Sequence, residues 1–427
     1  MKVNEYLYHK IRGLDGDSFR PKEHFTAPVG WINDPNGLVY YKGWYHLFCQ
    51  YNPYAAKWDT MHWYHARSKD LLNWEDLGVA LMPEHDYERS GVFSGSAIVK
   101  GDRLYLLYTG HSIDPVSKKV VESQCVAWTD DGLNFEKYDK NPVLLPADGP
   151  EGQEDANFRD PKAFERDGKY YIVVAAGVSG HGEVLLFESA DLLKWDYVSS
   201  LLPQTDFMGK VTECPDFFTV DGQDYLAFST IYGEGKPSLV NLVKGKMDWE
   251  KHKFLPESQQ LSDESPDFYA SQSLEGKNGE RIVIPWLRSV DYTDYLADTG
   301  HVWNGMMGMP RVLTVENGEL VQRPIQAGQP LDHEAVLEAG TYQVTDFSAD
   351  KRLLLLGYNG RIEISQANGQ FEIEVLSPVG DKKYQLPARA DFEITLDNSV
   401  FEMFAGSHTL SVFTFIKDIK QAVWDKK

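Results

Sequence analysis

Apolar residues recur at every second position through most of the chain, in paired short runs joined by glycine-containing turns. Five of these pairs can be laid over one another. They are DPNGLVYYKGWYHLFCQ from Asp34, SGSAIVKGDRLYLLYTG from Ser94, DPKAFERDGKYYIVVAAG from Asp160, ECPDFFTVDGQDYLAFST from Glu213 and DFYASQSLEGKNGERIVIPW from Asp267. Each begins on a polar residue, enters a strand, turns on glycine beside a polar neighbour and returns as a second apolar strand. A second set of echoes follows three of them: SKDLLNWEDL, TDDGLNFEKY and SADLLKWDYV. Each places an aromatic ring four residues after an acid (Asp70 and Trp74, Asp131 and Phe135, Asp191 and Trp195), which predicts an outer hairpin with the ring packed between sheets. Four strands per unit, repeated five times, predicts a five-bladed β-propeller over residues 1–324 rather than a sandwich with chance similarities.

The rhythm changes after that. Residues 325–338 read as a linker that can hold a short helical turn. From 339 to 427, short alternating strands return with turn signals every 8–12 residues: TYQVTDF, RLLLLGY, RIEIS, QFEIEVLS, DFEITLD, VFEMFAG and LSVFTFI. That pattern predicts a C-terminal β-sandwich, so the whole chain is expected to be all-β.

Charge narrows the partners. With 42 basic and 64 acidic residues the net charge is 42 − 64 = −22, which excludes a nucleic-acid partner, because the phosphate backbone needs a basic face. No stretch approaches the roughly 18 apolar residues of a membrane span, and the N-terminal MKVNEYLYHKIRGLDGDSF has no apolar core of a leader. The chain therefore reads as soluble and cytoplasmic, with no membrane partner. Cys49, Cys125 and Cys214 are too few and too widely spaced for a disulfide or zinc framework. Cys214 reads as a small buried side chain, with a tuning role beside Glu213 as the alternative. His62 and His65 lack a third ligand at metal spacing, and GVSGHGEV at 177–184 is not followed by a helix as a phosphate loop requires. No metal and no cofactor are expected.

The innermost strand of each propeller blade lines the central channel. If the five starting residues are equivalent, Asp34, Asp160, Glu213 and Asp267 converge on one axis with Ser94 among them. Clustered carboxylates oppose one another's ionisation, and such clusters mark chemistry. Oxygen-ligated cation binding and glycoside hydrolysis both use them. Trp31, Trp44, Trp58, Trp63, Phe93, Tyr269, Trp286 and Trp303 surround them in the sequence and favour a sugar. Arg159 precedes Asp160 directly and is placed to keep that carboxylate ionised.

WINDPNG at 31–37, FSGS at 93–96, FRDP at 158–161 and ECPD at 213–216, in this order, resemble the signature set of glycoside hydrolase family 32, the invertases and β-fructofuranosidases. The resemblance covers nearly the whole chain and implies a propeller followed by a sandwich. It implies that Asp34 is the nucleophile, that Glu213 is the general acid/base and that Asp160 holds the sugar hydroxyls and steadies the transition state. It also implies sugar contacts from Asn33, Gln50, Trp58, Phe93, Ser94, Arg159 and Trp286, with Tyr269 added. A retaining double displacement would set the two catalytic carboxyls about 5–5.5 Å apart.

HFTAPVGWINDPNGLVYYKGWYHLFCQYNP looks most like the intracellular members that cleave sucrose 6-phosphate, which predicts hydrolysis of that sugar, of sucrose, or of both. The alternatives are an intracellular fructosidase of short fructo-oligosaccharides and a non-catalytic sugar-binding propeller. Two departures, Asp59 after Trp58 and Tyr64 within HWYH, are expected at the pocket rim, where the leaving group sits. The partner is a small-molecule sugar; monomer and homodimer both remain open.

Overall fold

A computed structural model of the chain describes residues 3–5, 17, 19–233, 235–332 and 336–426; most of the N-terminal stretch searched for a leader, and residues 333–335 of the expected linker, fall outside them. Among the described residues, no helix is long and apolar enough to cross a membrane.

Five sheets, each built on four antiparallel strands, follow in chain order. The first holds Gly30–Tyr41, Trp44–Asn52, His62–Ser68 and Trp74–Leu81. The second holds Gly91–Lys100, Arg103–Ile113, Val120–Thr129 and Glu136–Lys137. The third holds Gln153–Arg166, Lys169–Val178, His181–Ser189 and Asp196–Ser200. The fourth holds Val211–Val220, Gln223–Ile231, Leu239–Asp248 and Lys253–Leu261. The fifth holds Phe268–Glu275, Arg281–Leu287, Arg311–Glu316 and Glu319–Pro324. They are the blades of a five-bladed propeller. Trp303–Asn304, from the fifth blade's long excursion, pairs in parallel with Gly30 and Trp31 and so ties the end of the ring to its start. Gly305 makes this approach possible: at φ +87° its Cβ would lie 2.0 Å from the Ile32 carbonyl oxygen.

The echoed acid-aromatic motif has a local cause. It is the turn between the third and fourth strands of a blade. The Ser68, Thr129 and Ser189 hydroxyls accept the N–H groups of Leu71, Gly132 and Leu192. The carboxylates of Asp70, Asp131 and Asp191 accept the N–H groups two and three residues on. Leu71, Gly132 and Leu192 are all left-handed, so the motif fixes a strained corner even where glycine is absent. The ring that follows packs inward: Trp74 against Phe25, and Phe135 against Phe48 and His65.

Two five-stranded sheets form the C-terminal β-sandwich. One runs Gln329–Pro330, Gly340–Val344, Phe392–Asp397, Val400–Ala405, His408–Phe413. The other runs Lys382–Pro387, Gln370–Leu376, Arg361–Ala367, Lys351–Leu356, Gln421–Lys426. Leu353, Leu355, Ile364, Ile373, Ile394 and Val412 fill the space between them. The stretch read as a linker thus contributes an edge strand, and its described residues hold no helical turn. Propeller and sandwich meet through an apolar cluster of Leu287, Trp303 and Met306 with Val400, Phe413 and Phe415.

Candidate active site

Every inner strand carries a β-bulge at the same level. In the first blade Ile32 pairs with Tyr51 and Pro35 with Cys49, so Asn33 and Asp34 oppose Gln50 alone. In the other four the register slips after Phe93, Arg159, Glu213 and Tyr269. A bulge bends the strand and re-aims its side chains, and five at one level turn consecutive residues into the channel mouth. Asp160, Cys214 and Ala270, each first after the slip, share left-handed φ angles of 62°, 47° and 48°. Their N–H groups are held in turn by the Thr109 hydroxyl, the Asp160 carboxylate and the Ser229 hydroxyl, at 2.9, 2.9 and 3.0 Å. Thr109 and Ser229 sit on the second strands of the second and fourth blades. The third blade has Ala175 at that register position, and there the carboxylate of Asp160 takes over.

This register corrects the sequence alignment. Glu213 matches Arg159 rather than Asp160, and the fifth blade brings Tyr269 to that level rather than Asp267. The Asp267 carboxylate does not line the pocket. It accepts Lys382 Nζ at 2.8 Å and the Phe413 N–H at 2.9 Å, at the junction with the sandwich.

A pocket of about 400 Å³ opens over the bulges. All eleven residues expected at the site line it: Asp34, Asp160, Glu213, Asn33, Gln50, Trp58, Phe93, Ser94, Arg159, Tyr269 and Trp286. The Trp31 indole donates to Asn33 Oδ1 at 2.8 Å, and Asn33 Nδ2 donates to Asp34 Oδ1 at 3.0 Å. Ser94 Oγ donates to Asp34 Oδ2 at 2.6 Å. Cys214, buried, sits between two acids, with Sγ 3.6 Å from Asp34 Oδ2 and from Asp160 Oδ2; burial and the neighbouring carboxylates push its thiol well up, so it stays protonated.

Glu213 is gripped from both sides. Tyr269 donates to Oε2 at 2.7 Å and Arg159 Nη2 approaches Oε1 at 3.3 Å. Arg159 is fixed in turn by Glu122 at 2.8 Å, whose other oxygen meets His111 Nδ1 at 3.2 Å. His111 stacks on Phe93 with centroids 4.0 Å apart, and Trp58, 55% exposed, stands edge-on to Phe93 at the rim. Trp31, Tyr269 and Trp286 close the opposite side. The buried indole N–H of Trp286 has no acceptor among the described residues, so a donor is left free in the pocket wall.

Removal from water pushes Asp34 above the ordinary carboxylate range, with Glu213 adding to the rise and the Ser94 and Asn33 bonds opposing it. Burial likewise raises Asp160, to about 8, against the pull of Arg159. The expectation that Arg159 keeps Asp160 ionised is therefore overturned: its guanidinium turns to Glu122 and Glu213, and burial outweighs its field. Of the two departures from the family pattern, Asp59 is exposed beside the rim residue Trp58, but Tyr64 is buried under Phe25 and Tyr51, away from the rim.

Ser94→Ala tests the balance at Asp34. It removes a donor to the ionised form, so Asp34 should ionise at still higher pH. The acid limb of kcat/KM should move up by about one pH unit, the size expected for one bond to a charged group. An unmoved limb would show that the acid limb is not set by this carboxylate.

Glu122, Ile231, Ser238, Arg288 and Val290 also line the pocket and were not singled out in the sequence. Glu122 left one signal, the single charge in a mostly apolar third strand, VVESQCVAW, where a buried charge needs a partner.

Known proteins match this chain over most of its length. Residues 24–324 match the glycosyl hydrolases family 32 N-terminal domain. The chain is 34% identical to a sucrose-6-phosphate hydrolase of Escherichia coli over 77% of its own length and 69% of that protein. It is 30% identical to one from Vibrio alginolyticus over 94% and 87%. Among solved structures, a Bombyx mori β-fructofuranosidase in complex with sucrose superposes with a TM-score of 0.84 at 28% identity, covering 99% of this chain and 94% of that one. A Lactobacillus gasseri sucrose-6-phosphate hydrolase gives 0.81 at 25%, with the same coverage. With a matching family model over most of the chain and the same overall fold as these solved relatives, this protein belongs to glycosyl hydrolases family 32.

Proposed function

We infer that the protein is a retaining β-fructofuranosidase that hydrolyses sucrose 6-phosphate, sucrose or both. The observation that carries this reading is the pairing, in one aromatic-walled pocket, of Asp34 on the first blade with Glu213 on the fourth, each held by its own donors. Asp34 attacks the anomeric carbon of the fructosyl unit while Glu213 gives its proton to the departing glycosidic oxygen. The bond to the leaving sugar breaks as the bond to Asp34 forms. Glu213, now ionised, takes a proton from water, whose oxygen attacks the same carbon and releases Asp34. Two inversions return the original configuration.

Asp160 suits a holding role. Raised to about 8, it is mostly protonated at neutral pH and can donate to a sugar hydroxyl without adding a second negative charge beside Asp34. Asn33, Gln50 and Trp286 offer further polar contacts, and Trp58 and Phe93 form the apolar rim. Glu122 fixes Arg159, and Arg159 and Tyr269 together hold the angle of the Glu213 carboxyl.

A phosphorylated disaccharide does not cross a membrane unaided, so the enzyme must share the compartment in which the sugar is phosphorylated, which this reading takes to be the cytoplasm. The test is kcat/KM on sucrose 6-phosphate, sucrose and 1-kestose side by side. A tenfold preference for the phosphorylated sugar is expected, about 1.4 kcal/mol at the transition state. A preference for kestose would move the protein to the fructo-oligosaccharide hydrolases. Binding without turnover on all three would make it a sugar-binding propeller.

A further inference from the structure

The pocket contains two guanidinium groups with opposite circumstances. Arg159 is spent on Glu122 and Glu213. Arg288 is not. Among the described residues its side chain makes no hydrogen bond and no ion pair; its guanidinium carbon lies 5.8 Å from the centroid of the Tyr269 ring. In a chain with 64 acidic and 42 basic residues, and in a pocket lined by Asp34, Glu122, Asp160 and Glu213, a half-buried arginine with no ion pair is out of keeping with its surroundings. Arg67 and Arg103, half-buried, and Arg323, exposed, have each found an acid.

Its position is set by the strand it follows. Arg281–Leu287 is the second strand of the fifth blade, and Trp286 pairs with Tyr269 across it. The strand ends at Leu287, and the chain leaves it towards the pocket mouth as a short 3-10 turn that begins at Val290. Trp286 lies in the buried wall, Arg288 follows, and Val290, 43% exposed, stands at the mouth. Arg288 thus sits one step outward of the fructosyl wall. It lies against the ring whose hydroxyl holds Glu213. The oxygen that Glu213 protonates belongs to the leaving sugar, so the leaving sugar and Arg288 are on the same side.

We propose that Arg288 is a specificity residue that receives an anionic substituent, a phosphate ester, on the leaving sugar. The inference rests on the β-fructofuranosidase reading above and adds to it a residue for the phosphorylated substrate. A guanidinium offers two parallel N–H donors to a phosphate and stays charged at every working pH. A free hydroxymethyl group at the same place gains only a neutral hydrogen bond.

The test compares wild type, Arg288→Gln and Arg288→Lys on sucrose 6-phosphate and sucrose, with the fold of each checked by circular dichroism. Arg288→Gln should lower the ratio of the two kcat/KM values tenfold or more, mostly through KM for the phosphorylated sugar. Arg288→Lys, which keeps the charge but not the fork, should retain an intermediate ratio. Glucose 6-phosphate should inhibit wild type more strongly than Arg288→Gln. If Arg288→Gln slows both sugars equally, through kcat, then the residue serves only to hold Tyr269; the proposal falls and the assigned activity stands. If wild type turns over both sugars with no preference for the phosphorylated one, the proposal falls and the β-fructofuranosidase reading stands; only a lack of turnover on either sugar overturns both.

Discussion

Asp34→Asn is expected to lower kcat on sucrose by about four orders of magnitude or more, with sugar binding retained. The amide has no charge to place beside the developing oxocarbenium ion and does not form a stable ester with the sugar. Its NH₂ group also meets donors, because Ser94 and Asn33 are both arranged to give hydrogen bonds to this side chain. Glu213→Gln should cost less, about two to four orders of magnitude on sucrose, since only proton transfer is lost. The two variants separate on a substrate with a good leaving group. An aryl β-fructofuranoside needs no protonation to depart, so Glu213→Gln should recover much of its first step and release a burst of the phenol. Asp34→Asn should recover nothing. A burst in Asp34→Asn, or an equal deficit of Glu213→Gln on both substrates, would reverse or remove the assigned roles.

Apart from Gln50, Trp58 and Trp286, which came as sugar contacts only with the family resemblance, the parts of this site that were legible in the sequence share a physical feature: they lie in the bulged inner strands, where the motifs are short, polar and contiguous. WINDPNG and FRDP interrupt apolar alternation with residues that a plain strand would not hold, so Asp34 and Asp160 stood out. The bulge itself was not legible. It inserts a residue without disturbing the alternation on either side, so aligning the blades by their first acid slid Glu213 by one place and took Asp267 for Tyr269. Glu122 and Arg288 were missed for another reason. They stand alone on or after second and third strands, and only the closing of the ring brings them to the first-strand residues. The strands Lys382–Pro387 and Gln421–Lys426 escaped because both are sheet edges with charged, weakly apolar sequences, the composition that protects edges from pairing with other chains.

The second large effect is expected on stability, where propeller and sandwich meet, and it involves residues too far apart in the chain for any motif to join. Arg311, fully buried, reaches Asp263 at 3.2 Å and Glu402 at 2.8 Å, and donates also to Gln322, Thr409 and Ser411. Glu402 accepts the Met309 N–H at 3.0 Å and faces His24 Nε2 at 3.1 Å, while His24 Nδ1 faces Asp397 at 3.1 Å. Asp397 gathers the N–H groups of Lys22, Glu23 and His24. Arg311→Met leaves Asp263 and Glu402 buried without their main cation and should cost about 3–5 kcal/mol, read as a lowered urea midpoint. A change below about 1 kcal/mol would show that the network contributes little. His24 gives the same network a pH signature. Its carboxylate partners outweigh burial and raise it to about 9, above the roughly 6.5 of an unfolded histidine. Its contribution is therefore full below about pH 6.5 and is lost as pH rises through about 9. The opposite sign holds for its partners: Glu402 is lowered to about 2 and Asp397 is lowered too, so their contribution is present above the ordinary carboxylate range and fades only in strong acid. Between pH 7 and 10 wild type should lose stability on the order of 3 kcal/mol from His24, and His24→Gln should remove that slope. Parallel slopes in the two proteins would place the alkaline loss elsewhere and leave His24 neutral in the fold.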